Sequence, residues 1–230
     1  MNASAAYSLA LKRWIILLTM ALTLPACGLH RAMEPFSVIA PEIDASRSDR
    51  ADVQPVDWAL AVRRPISDRT RDSESILVRT DNFRLLPYSG AVWLDNVPDL
   101  LRASMIEALE SKGVLEAVGR TGRGGRFFVL ETELRQFEAV EDGSGNLVVA
   151  LDIRGSLINP RGGEVLAAQS FSAREPSEGS TLDTLIPAFE RALTSYVDAL
   201  GDWIVRAGQE AQLDQRRDPD NSLDSNPERE

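Results

Sequence analysis

A single cysteine and a single histidine stand in a chain of 230 residues. The first excludes an intramolecular disulfide and a zinc cage built of thiolates from this chain alone. The second leaves almost nothing for Ser-His-Asp or Cys-His catalysis. His30 also lies in an irregular stretch where no low-dielectric pocket would tune its proton affinity. Basic residues are outnumbered: 25 Lys and Arg against 35 Asp and Glu give a formal charge of −10, which excludes the basic face a nucleic-acid binder needs. No apolar run reaches the roughly 20 residues of a membrane-spanning helix.

The motifs that resemble chemistry fail on inspection. Gly122-Arg123-Gly124-Gly125-Arg126 lacks the Lys-Ser/Thr of a phosphate loop and leads into a strand, so it reads as an exposed connection. Glu131, Glu133, Glu138, Glu141 and Asp142 gather along one strand and its turn. Glu131 and Glu133 alternate with Leu130 and Leu134, which reads as a solvated outer face rather than an acid–base pair. Asp142 to Asn146 lacks the bidentate Glu of a calcium loop. No catalytic residue, metal site or cofactor is expected, and the chain is not expected to be an enzyme.

Residues 1–26 contain no acid. Lys12-Arg13 precedes the uncharged run Trp14 to Leu24, too short to span a bilayer and suited to the apolar region of a signal peptide. Leu24-Pro25-Ala26-Cys27-Gly28 follows and resembles a bacterial lipobox, with an aliphatic residue three before the cysteine and a small one directly before it. The resemblance implies that the Cys27 thiol is acylated, with palmitate or a similar chain, and becomes the first residue of the mature protein. Each buried CH₂ contributes about 0.8 kcal/mol, so two or three chains anchor far better than one. Gly28, where an Asp would favour inner-membrane retention, implies the outer membrane. Loss of Lys12 and Arg13 takes the formal charge from −10 to −12.

Residues 27–54 form the lipidated N-terminus and a tether without a sustained period. Residues 208–230 read as a disordered acidic tail. The folded body, 55–207, carries strands at Val56–Arg64, Ile76–Arg79, Arg84–Tyr88, Val114–Val118 and Arg126–Glu138. Two further strands centre on Leu147–Leu157 and Val165–Phe171. Asp142 to Asn146 and Asn159 to Gly163 supply hairpin turns, so the three long strands must be antiparallel. Asp95-Asn96 offers capping oxygens to a helix that begins at Val97 and stops at Gly113. A second helix presents Leu185, Phe189, Leu193, Tyr196, Val197, Leu200 and Ile204 on one face, with Pro187 in its first turn and its end near Gly208. The expected class is α+β: a two-layer sandwich of a mainly antiparallel sheet and two amphipathic helices. Tyr88 and Trp93 fall in a loop before the first helix. There, large rings either staple helix to sheet or anchor a partner, and stapling is the stronger physical reading.

Taken together, several pieces resemble the ABC-type transport auxiliary lipoproteins (PqiC-like) over residues 54–206. They are Ser75 to Arg79, Leu86-Pro87-Tyr88-Ser89-Gly90-Ala91-Val92-Trp93, the helix Val97 to Gly113, Phe128 to Glu138, Phe171-Ser172-Ala173 and Ala188 to Trp203. The segment Pro65 to Ser75 departs from the pattern by its high charge. The resemblance implies a periplasm-facing accessory subunit, at the inner leaflet of the outer membrane, of an MCE-type ABC system that moves phospholipid between membranes. An MCE-domain protein is the expected partner, with permease and ATPase in the same system, and ring-shaped partners allow a homo-oligomer. Tyr88, Trp93 and Leu94 are the candidate partner contacts. The alternatives are an outer-membrane assembly or stability lipoprotein and a lipid-carrying binding module.

Overall fold

The computed structural model describes residues 37–41, 55–122 and 126–217, with side chains to 214. The signal segment, Cys27, His30, most of the glycine-rich connection and residues 218–230 lie outside the described residues. The strands are β1 (Ser37–Ile39), β2 (Ala59–Val62), β3 (Ser75–Arg79), β4 (Leu85–Trp93), β5 (Ala117–Gly119), β6 (Phe127–Glu141), β7 (Leu147–Ile158) and β8 (Val165–Pro176). Among the described residues the helices are α1 (Val97–Lys112) and α2 (Leu182–Arg217).

All eight strands form one sheet organised around β6. One edge of β6 pairs antiparallel with β7, which pairs antiparallel with β8. The other edge is shared: β2 pairs along Phe127–Leu130, Ile66 bridges to Glu133, and β3 pairs at Ala139 and Val140. β2 then carries β5, while β3 carries β4 and β1.

The sheet is therefore mixed, not mainly antiparallel. Four of its seven strand pairs are parallel: β1–β4, β2–β5, β2–β6 and β3–β6. Alternation of apolar and polar residues marks a strand without marking its direction. Only the short turns after β3, β6 and β7 impose antiparallel pairing. The four parallel pairs join strands that are not linked by a short turn.

Apolar residues from one face of this sheet meet both helices. Phe128, Leu130, Leu134, Phe137 and Ala139 of β6 join Val149, Leu151, Ile153 and Leu157 of β7 beneath Leu101, Met105, Leu185, Phe189, Leu193, Tyr196 and Leu200. An irregularity between Leu134 and Gln136 in the pairing with β7 lets both Leu134 and Phe137 face inward, three positions apart.

α1 begins at Val97, as its spacing predicts, but the Asn96 side chain makes no capping bond. Its carbonyl instead accepts the N–H groups of Asp99 and Leu100. Gly113 stops the helix in the left-handed region at φ 63°, with its N–H on the Glu110 carbonyl. α2 differs at both ends from its expected limits. It starts at Leu182, so Pro187 lies inside the helix, and it runs through Gly208 to Arg217. Gly208 serves a close approach: a Cβ there would lie 2.3 Å from the ring of Trp58.

β1 also departs from expectation, because part of the expected tether is sheet. Ser37–Ile39 pairs in parallel with Ala91–Trp93, and the Ile39 carbonyl accepts the Leu94 N–H.

Candidate functional site

The three candidate contact residues lie on or beside β4, and the structure separates them. Tyr88 to Trp93 is strand, not loop. Ser75 pairs with Val92 and Leu77 with Pro87, so β4 bulges between these points, with Gly90 at φ 80°. That bulge breaks the two-residue period and hides the strand in the sequence.

Trp93 is 1% exposed. Its ring packs on Phe137 and edge-on against Phe189 at a centroid separation of 5.0 Å. It is a staple between sheet and α2, which removes it as a surface contact. Tyr88 is half-buried and donates its hydroxyl to the Ser180 carbonyl at 3.1 Å, tying β4 to the entry of α2. Leu94 is 64% exposed and, of the three, stands open to a partner.

The acidic cluster also divides. Glu131 pairs with Arg63, and Glu133 with Arg135 at 2.9 Å, both near solvent. Glu138 corrects the solvated-face expectation, because its side chain is fully buried. Arg71 reaches its Oε2 at 2.6 Å and Arg79 Nε its Oε1 at 2.7 Å. Arg71 comes from the charged segment that departs from the family pattern, and it also pairs with Asp68.

The same segment is tied to α1. Arg64 pairs with Asp72 and, at 2.7 Å, with Asp99, which also binds Arg102 at 2.7 Å. The hydrogen bond from Arg64 holds the Asp72 carboxyl below its ordinary range. Bonds to Asp72 and Asp99 push the Arg64 guanidinium up. These charges fasten the loop between β2 and β3 to α1 and to β6.

The turn between β3 and β4 went unnoticed in the sequence. Thr80 N–H bonds to the Arg84 carbonyl at 2.9 Å and Phe83 N–H to the Thr80 carbonyl at 3.0 Å. Asp81 N–H is held by Glu141 at 2.9 Å. Phe83 occupies the left-handed position that closes such three-residue turns, at φ 64°, where Gly or Asn is usual. Its side chain is 85% exposed, and Leu86 beside it is 38% exposed. The only available signal was Asp81-Asn82 followed by a residue that should have been glycine.

Among the described residues, two open grooves have volumes of about 300 Å³ and 290 Å³. One is lined at the ends of β2 and β5, the other between β8 and Ser195, Tyr196 and Ala199 of α2. Among the described residues, no helix is long and apolar enough to cross a membrane. No group of three His, Cys, Asp or Glu could hold a metal there.

The profile of the family described as ABC-type transport auxiliary lipoprotein component matches residues 41–201, more than half of the chain. The chain belongs to this family. A solved protein from Xanthomonas campestris shares its fold with a TM-score of 0.67 and 27% identity, over 77% of this chain and 99% of that one. A second solved structure, with a TM-score of 0.58 and 13% identity over 74% of this chain and 99% of that one, shows the fold alone. A protein of Bradyrhizobium diazoefficiens is 25% identical over 121 residues, 52% of this chain. The chain spans about a third of the length of that curated relative, 32%. The family description is that of a lipoprotein component auxiliary to ABC-type transport, and it names no enzymatic activity.

Proposed function

We propose that the protein is the periplasm-facing lipoprotein subunit of an MCE-type ABC system for phospholipid transport between membranes. In this reading residues 1–26 are removed, Cys27 is acylated, and the body docks or steadies the MCE assembly at the inner leaflet of the outer membrane. Leu94 and Tyr88 are the proposed partner contacts, while Trp93 supports them from below.

The observation that carries this reading is β1. Ser37–Ile39 is built into the sheet ten residues after Cys27, so the length of chain between the proposed anchor and the body is ten residues instead of the 28 of the expected tether. A short length of chain between lipid anchor and sheet suits a subunit that holds its partner near a membrane. Open grooves lined largely by short side chains suit a carrier of whole lipids less well.

Two measurements test the proposal. Labelled palmitate should enter the wild-type protein and not a Cys27→Ala variant; undiminished labelling would sink the anchor. Affinity purification from detergent-solubilised envelopes should recover an MCE-domain protein. Recovery of a β-barrel protein with no MCE component would favour the assembly-factor alternative.

A further inference from the structure

We infer that the β3–β4 turn is a membrane-contact site, in which Phe83 and Leu86 enter the interfacial layer of the phospholipid bilayer that holds the acyl anchor. The inference rests on the proposed acylation of Cys27. It assigns a lipid surface to a part of the body that the docking proposal leaves unused.

Strand direction supplies the first argument. β1 is parallel to β4, with Ser37 level with Ala91 and Ile39 level with Trp93. The first residue of β1 therefore faces the same end of the sheet as the first residue of β4, and that end is the turn bearing Phe83. From Ala91 to Leu85 is at most about 20 Å at the usual strand rise. Ten residues from Cys27 to Ser37 reach about 33–36 Å when extended. An anchor on Cys27 can thus lie level with the turn without strain.

The turn itself supplies the second argument. Phe83 is a bulky residue at φ 64°, in a region that its side chain disfavours, and it is 85% exposed. Its backbone N–H is bonded and Glu141 holds the Asp81 N–H, so the ring is presented on a fixed support. A residue placed at this conformational cost, with no packing in return, is where function is to be sought.

Charge decides the mode of contact. Arg84 adjoins Asp81 in the turn, and Glu141 and Asp142 stand at the neighbouring β6 end. This end is acidic on balance, so attraction to anionic headgroups is not the driving force. Burial of the Phe83 and Leu86 side chains in a zwitterionic interface is.

The test uses the full lipidated protein carrying Phe83→Cys, labelled with an environment-sensitive fluorophore and reconstituted into phosphatidylethanolamine–phosphatidylcholine vesicles. An Arg161→Cys variant at the opposite end of β7 is the control. The label at 83 should shift to the blue and be quenched by doxyl-lipids, with the label at 161 remaining water-like. A single label per chain with water-like emission at 83 overturns the contact and leaves the anchor standing. Two labels per chain mean a free Cys27 thiol, which removes the anchor and the reach argument together. Protection of position 83 only when the MCE assembly is added assigns the turn to a protein partner and overturns the lipid contact.

Discussion

Glu138 carries a charge without contact with water, and its stability rests on two guanidinium groups. Glu138→Gln keeps the shape and removes the charge, leaving Arg71, 11% exposed, with Asp68 alone as its carboxylate partner. Breaking a buried pair from one side costs about 3–5 kcal/mol. A loss of about 3 kcal/mol is expected in urea unfolding; an unchanged midpoint would mean that the Arg71 loop contributes nothing to the fold. Phe83 is the opposite case. Phe83→Asn relieves a left-handed strain of roughly 1–2 kcal/mol at a position with no packing to lose. The expected gain is about 1 kcal/mol, read as a higher midpoint at constant m. Neither behaviour is visible in the sequence. Glu131, Glu133 and Glu138 look alike there, and only the loop folded over Glu138 distinguishes it. Trp93 is a staple, as the burial of large rings next to an amphipathic helix favours, and its 1% exposure overturns its place among the candidate partner contacts.

Among the elements, α1 was the most readable. Its apolar spacing, Pro98 in the first turn and Gly113 after Lys112 are all local signals. The end of α2 was misread because a glycine following an apolar helical face ordinarily marks a stop. Here Gly208 is kept small by Trp58, which is fully buried beneath it. Gly208→Ala would improve helix propensity by about 1 kcal/mol in an isolated helix. In the protein its Cβ meets a ring that cannot withdraw, and overpacking of this kind costs about 1–3 kcal/mol. A fall in Tm is expected; a rise would show that the Trp58 ring can yield. β4 was half-read for a related reason, since a bulge interrupts the alternation on which strand reading depends.

At the scale of the whole molecule, the sequence by itself determined what lies within a few residues of each signal. That comprises the apolar N-terminal run, the lipobox-like Leu24 to Gly28, the long β6, β7 and β8 with their turns, the two amphipathic helices and the family. Each follows from covalent order, from periods of 2 and 3.6 residues, or from turn chemistry. Only the tertiary structure decided that β2 and β3 share one edge of β6, that four strand pairs are parallel, and that Ser37–Ile39 leaves the tether to join β4. It also decided that a charged loop closes over Glu138. The physical reason is common to all four: hydrogen-bonding edges and opposite charges find partners across tens of residues, and a local pattern states that an edge or a charge exists without stating what will meet it.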